Sequence, residues 1–162
     1  MNEQFADKLF LLMTFQNLYN ISREQYISFI GIMFRHFKYR LLGKNIYSST
    51  KSRIQSVKNI LLDGCLSVGF IGSEFSSIHD VTQLNIWGQM FVKGNVSINR
   101  GSRISVMNGA NLSLTNCFIN SNVIIQCEHS IEIGDGSAIG WGTQICDEDY
   151  HNVKYANTPP VV

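Results

Sequence analysis

An apolar residue recurs at every sixth position from Ile54 to Ile145, and this period constrains the fold more than any other feature of the chain. Ile54, Ile60, Leu66, Ile78 and Leu84 keep the step, with Gly72 the one violation. The register then slips by two, and Ile86, Val92, Ile98, Ile104 and Ala110 continue it. After an irregular step Ile119, Ile125 and Ile131 resume, and a second slip of two leads to Ile133, Ile139, Ile145 and finally His151. Helical heptads cannot give a period of six, and a hairpin meander does not hold one for so long. Such repetition predicts an all-β solenoid. Short strands of β-branched residues alternate in and out, and Gly and Asn take corners where φ is positive. Each coil buries its apolar side only by stacking on the next, and three six-residue sides close one triangular turn. A β-sandwich also has many short strands, but it leaves the strict spacing unexplained.

The totals agree with this fold. The chain has 162 residues, 44% of them hydrophobic, enough for one domain with a real core. Only 15% are charged, as expected where Asn, Ser and Gly fill the corners of many short buried strands. A net charge of +1 gives no argument for nucleic acid as a partner. Cys65, Cys117, Cys127 and Cys146 have no CxxC spacing, so they read as buried thiols in a reducing compartment, neither zinc site nor disulfide framework. No run reaches the roughly 18 apolar residues that span a bilayer. Leu9 to Phe15 is apolar, but Glu3 and Asp7 precede it and no small-residue cleavage site follows, so a signal peptide is rejected. The expected location is the cytoplasm, with a peripheral position on the inner face of the membrane as an option.

Residues 1–45 obey a different period and read as an N-terminal helical segment ahead of a repeat domain, 46–162. Phe5, Leu9, Leu12 and Gln16 recur at helical spacing, with Leu11, Phe15 and Leu18 widening the apolar side. A second helix is predicted to start at Ser22, with Gln25 completing a capping box and Ile21 and Tyr26 a hydrophobic staple. Gly43 suits the left-handed position just past its end. Tyr26, Ile30, Met33, Phe37 and Leu41 make one stripe, and Arg35, Lys38 and Arg40 gather where the helix dipole favours positive charge. Two readings of this helix stay open. Residues 23–42 make a weak contact with an anionic membrane surface, or the stripe packs on the first helix or on a neighbouring subunit.

Glycine follows an apolar residue at six-residue intervals in Ile133-Gly134 and Ile139-Gly140, and this resembles the hexapeptide-repeat acyltransferases. Their fold is a left-handed parallel β-helix, an exception to the right-handed crossover rule. Three further stretches are similar to the small O-acetyltransferase branch, which includes maltose, galactoside and polysaccharide acetyltransferases. They are Phe118-Ile119-Asn120-Ser121-Asn122, the run from Ser130 through IEIGDGSAIGW to Trp141, and Ile145-Cys146-Asp147-Glu148-Asp149-Tyr150-His151. The resemblance covers roughly residues 50 to 160, its later half being the specific part.

The resemblance implies a homotrimer with active sites between subunits and acetyl-CoA lying along the helix side. It matches His151 to the catalytic base. It matches Asn120 or Asn122 to the asparagine lining the acyl site, Asn122 fitting slightly better by its spacing to Asp135. The chemistry can be argued independently. Acetyl transfer to a sugar hydroxyl needs the proton removed as oxygen attacks the thioester carbonyl, and a neutral imidazole suits that task. Asp147 or Asp149 would orient the imidazole, Asp147 being preferred because residues two apart rarely meet. A backbone N–H or the amide of Asn122 or Asn120 would stabilise the oxyanion. Trp141, Asp149, Tyr150 and His129 are the expected substrate-side residues. His129, one coil below Asp147, either contacts the acceptor or is a satisfied surface residue. His36 and His79 have no ligand-spaced partners, and the further His near His151 that a zinc hydratase would require is absent.

In the resembled family a proline-rich passage leads into further coils that hold the coenzyme. Thr158-Pro159-Pro160-Val161-Val162 resembles that passage, and the sequence stops there. Two functions remain open: an acetyl-CoA-dependent O-acetyltransferase acting on a sugar or polysaccharide, or an incomplete, non-catalytic β-helix that assembles or binds carbohydrate.

Overall fold

The computed structural model describes residues 15–24, 27–70 and 76–151. Among the described residues, helices α1 (Phe15–Glu24) and α2 (Phe29–Leu41) precede twelve strands. These are β1 (Ile46–Ser48), β2 (Arg53–Gln55), β3 (Ile60–Val68), β4 (Gln83–Ile86), β5 (Gln89–Ile98) and β6 (Arg103–Val106). There follow β7 (Asn111–Thr115), β8 (Phe118–Ile119), β9 (Ile124–Cys127), β10 (Ser130–Ile133), β11 (Ala138–Ile139) and β12 (Gln144–Cys146). Val57–Asn59 form a short 3₁₀ turn.

The strands pair in parallel. One sheet runs β1-β3-β5-β7-β10, with β8 joining β5 to β11, and the other runs β12-β9-β6-β4-β2. Leu84 pairs with Ile104, Ile104 with Ile125, and Ile125 with Ile145, steps of 20, 21 and 20 residues. The chain therefore climbs one strand spacing about every twenty residues, visiting both sheets at each level. This arrangement is compatible with a parallel β-helix. The side chains meeting between the sheets form one continuous core, from Ile46 through Leu66, Ile98 and Ile104 to Ile133.

The level is thus longer than the eighteen residues of three hexapeptides. The two register slips explain the difference. Leu84 and Ile86 both point inward from β4, as do Ile131 and Ile133 from β10. A slip is a strand long enough to carry two buried residues, which alternation places two apart. The early part of the sequence repeat is also corrected. Ile54 pairs directly with Leu84, 30 residues on, while Ile78 is 42% exposed in a turn. The six-residue step through Ile78 is therefore a coincidence of spacing; Gly72 lies outside the described residues.

At the N-terminal end the helix boundary moves. Ser22 is buried inside α1, its hydroxyl donating to the Tyr19 carbonyl at 2.7 Å. The cap of α2 is Ser28, whose extended backbone lets its hydroxyl accept the Gly31 N–H at 3.2 Å. Gln25 and Tyr26, the other members of the expected box and staple, lie outside the described residues, as do Phe5, Leu9, Leu12 and the proline passage from Thr158. The far end of α2 matches expectation. Gly43 has φ +70°, its N–H reaches the Arg40 carbonyl, and the Lys44 N–H reaches that of Tyr39, both at 2.9 Å.

Helix α2 lies on β1 and closes the first level. Tyr39 enters the main core, and Ile32 packs with Leu18, Ile27 and Phe70. Arg35 is turned inward, contrary to its expected place in a basic cluster: its guanidinium donates to the Ser48 hydroxyl and the Ser52 carbonyl, each at 2.8 Å. His36 stacks on Tyr47 with ring centroids 3.9 Å apart. Of the expected stripe, Met33 packs inward, while Ile30, Phe37 and Leu41 face outward.

Candidate functional site

The inward column Ile86, Val106, Cys127 runs up the second sheet, each member in register with the next and fully buried. One level higher, β12 pairs Cys146 with Gln126, so the next position in the column is Asp147. An acid thus replaces a core residue at the last described level. Its carboxylate accepts three consecutive backbone N–H groups, from Glu128 at 2.7 Å, His129 at 2.8 Å and Ser130 at 2.7 Å. Lower in the stack, corner amides are satisfied by carbonyls of the level above: Met107 donates to Cys127 and Asn111 to His129. Asp147 supplies with one side chain what those carbonyls supply below. Burial pushes its carboxyl up, but the three N–H groups outweigh that and leave it below the usual carboxylate value.

The chain then turns outward through Glu148, Asp149 and Tyr150, the last with φ +58°, to His151. An open groove of about 700 Å³ is lined by Gln126, Cys146, Asp147, Glu148, Asp149 and Tyr150. Its polar groups hold one another. His129 Nε2 lies 3.2 Å from the Glu148 carboxylate, and that contact is the main reason the Glu148 carboxyl is lowered. The Tyr150 hydroxyl donates to Glu128 and accepts from Gln126 Nε2, the latter at 2.7 Å. The bond to Glu128 leads the causes that raise the phenol to about 12.

His151 is exposed, and among the described residues it contacts Asp149. Its Nδ1 lies 2.5 Å from the Asp149 carbonyl, and its backbone N–H donates to the Asp149 carboxylate at 3.1 Å. The expectation had favoured Asp147 beside the imidazole. The left-handed turn at Tyr150 folds the chain back far enough for neighbours two apart to meet, and Asp147 is occupied by the corner amides.

The asparagines stand elsewhere. Asn122 has φ +60° at the corner before β9, level with Gly101 below (φ +78°) and Gly142 above (φ +69°). Its carboxamide oxygen lies 2.0 Å from where a Cβ on Gly101 would be. Asn120 is in the same corner, its Oδ1 accepting the Ser121 N–H at 2.8 Å. Trp141, 59% exposed, is one level above them, beside Gly142, which donates to the Ser121 carbonyl. This corner and the Asp147 corner are opposite ends of one strand, roughly 15 Å apart at about 3.3 Å per residue. A single chain therefore gathers His129, Asp147, Asp149, Tyr150 and the start of the His151 segment at one corner, with His151 itself held by Asp149, and Trp141, Asn120 and Asn122 at the other, but does not unite the two groups.

Gln126 and Glu128, which hold Tyr150, were not expected from sequence. The available signal was the level spacing, which places them directly below Cys146 and Glu148. Among the described residues no cluster of three His, Cys, Asp or Glu side chains is arranged to hold a metal. No described helix is long and apolar enough to cross a membrane.

The molecule is thus a parallel-stranded repeat protein whose last described level carries a polar, histidine-bearing corner. It is 33% identical over 146 residues to a Klebsiella pneumoniae protein described as an uncharacterized 24.8 kDa protein in the cps region. The match takes in 88% of this chain and 66% of that relative, so the chain spans a little under two thirds of its length. No protein-family model matches. No solved structure matches either.

Proposed function

We propose that this chain belongs to an O-acetyltransferase of surface-polysaccharide biosynthesis, a cytoplasmic homotrimer on a left-handed β-helix that takes acetyl from acetyl-CoA. The observation carrying this reading is the 2.5 Å contact between His151 Nδ1 and the Asp149 carbonyl. A carbonyl only accepts, so Nδ1 carries the proton and Nε2 keeps the lone pair a general base needs. Nε2 takes the proton of a sugar hydroxyl as that oxygen attacks the thioester carbon. The tetrahedral intermediate collapses, the C–S bond breaks, and the imidazolium returns the proton to the departing thiolate. The products are an O-acetyl sugar and coenzyme A. Such a base contributes about 10²–10⁴-fold.

The distance between the two corners gives the oligomer a role: Asn120 or Asn122 of a neighbouring subunit donates to the oxyanion formed at His151, with Trp141 beside it. The cps-region setting of the relative supports a capsular-polysaccharide acceptor. Asp147 acts as a positioning residue that anchors the loop carrying the base, and His129, Asp149 and Tyr150 face the acceptor. A second reading, a non-catalytic β-helix that binds or assembles on carbohydrate, is favoured by one observation. The acids of the corner are already engaged, Asp147 with the backbone, Glu148 with His129 and Glu128 with Tyr150. Titration calorimetry with acetyl-CoA separates the two: saturable binding supports the enzyme, and its absence in the 162-residue chain favours the non-catalytic reading.

A further inference from the structure

Helix α2 presents two unlike faces. At about 100° per residue, Ile32, Tyr39, Arg35 and His36 share the side fixed to the strands, by burial or by bonds to Ser48, Ser52 and Ile46. Ile30, Phe34, Phe37 and Leu41 fall within roughly 60° of one another on the opposite side. They are 80%, 71%, 62% and 72% exposed, and Leu42 continues the patch. Four large apolar side chains in one uninterrupted row are more than the scattered exposure usual on a protein surface.

The charges around the row point to one kind of occupant. Phe29–Leu41 contains no Asp or Glu. Lys38 and Arg40 are exposed and flank the row, roughly 80° to either side of its centre. Long cationic side chains in that position lay their stems along an apolar surface and lift their heads to its edge. An apolar stripe with cations on both margins complements the acyl boundary and phosphates of an anionic lipid surface. The acidic corner of a second copy would match the cations, but, lined by Gln126, Cys146, Asp147, Glu148, Asp149 and Tyr150, it presents no apolar row to cover the stripe.

We infer that α2 is a docking face for an anionic lipid bilayer, lying flat with Ile30, Phe34, Phe37 and Leu41 in the acyl boundary and Lys38 and Arg40 among the headgroups. The inner face, already committed to the strands, would hold the rest of the molecule against the membrane. The inference is independent of acetyl transfer.

The test is flotation of the full chain with vesicles of phosphatidylcholine alone or with about one third phosphatidylglycerol. The expected result is binding to the anionic vesicles at low salt, at least tenfold weaker to neutral vesicles and weakened by salt. Phe34→Ser with Phe37→Ser should abolish binding, and Lys38→Glu with Arg40→Glu should reduce it at least tenfold. All four side chains are exposed, so unchanged thermal melting should accompany both losses. Two results overturn the inference: no binding by the wild type, or binding that survives Phe34→Ser/Phe37→Ser. A fall in oligomer size in that double variant, without vesicle binding by the wild type, would assign the face to a second copy instead.

Discussion

The Asp147 carboxylate stands one level above the Cys127 thiol, 3.8 Å from its sulfur, in a column otherwise filled by Ile86 and Val106. It takes the place of a hydrophobic residue, and it also takes the place of the backbone carbonyls that would receive the amides of Glu128, His129 and Ser130. The same side chain ends the apolar column and starts the loop that carries His151.

Asp147→Asn should therefore destabilise the protein although it changes few atoms. The amide keeps one acceptor and turns a donor towards backbone donors. Losing charge-assisted bonds of this type costs about 1.5–3 kcal/mol. In thermal unfolding this corresponds to a fall of roughly 4–10 °C for a domain of this size. An unchanged midpoint would mean that the three N–H contacts contribute nothing.

The same contact sets an acid limb. A carboxyl whose folded pKa is lowered binds its proton more readily in the unfolded chain, so its contribution is complete above the unfolded value of about 4. The contribution disappears as pH falls through the lower, folded value. Stability measured by urea unfolding from pH 7 to pH 2.5 should show wild type and Asp147→Asn separated at neutral pH and converging in acid. A gap that persists at pH 2.5 would point to packing, not charge.

Glycine at the stacked corners gives a graded pair. A Cβ on Gly64, at φ +138°, would stand 2.1 Å from the Gly94 carbonyl oxygen, while one on Gly109, at φ +84°, would meet nothing within 4 Å. Gly109→Ala should cost only the left-handed backbone penalty, about 1–2 kcal/mol. Gly64→Ala adds a backbone clash that forces two levels apart, for a total above about 3 kcal/mol. Denaturant titration of the two variants should reproduce that order, and the reverse order would remove the argument.

Thiol chemistry checks the core directly. Cys65, Cys117 and Cys127 are buried, and burial drives Cys65 and Cys117 up to about 12, whereas Cys146 is exposed. An aromatic disulfide reagent should titrate one thiol quickly in the native protein and all four after denaturation. Two or more fast thiols in the native state would show that the levels are less closed than described.

Much of the architecture was legible because burial and period are coupled. Ile104, Ile119, Ile125 and Ile133 are core residues, and the six-residue step between neighbouring sides names them. What the period could not supply was the level height. Two strands of a level carry paired inward residues, and in sequence this appears only as an occasional slip by two. For the same reason Ile78 looked like a member of the repeat although it lies in an exposed turn. Ser28 is hard to single out because Ser22 offers a complete box in sequence, and a box does not reveal that the earlier helix runs through it. At the polar corner the residue types were readable, but their partners depend on which level stacks on which. Counting twenty from Cys127, not six from Ile145, identifies Asp147 as the end of the column. The separation of His151 from Asn120 and Asn122 could not be read at all, since it depends on which corner each occupies.

The central claim is that His151 is the base in acetyl transfer to a sugar hydroxyl. The most direct measurement is the rate of coenzyme A release from acetyl-CoA, with an unacetylated surface polysaccharide as acceptor, for wild type and His151→Ala. His151 is exposed, so the variant should keep its melting temperature and lose about 10²–10⁴-fold in rate. A variant that transfers acetyl as fast as the wild type would contradict the claim.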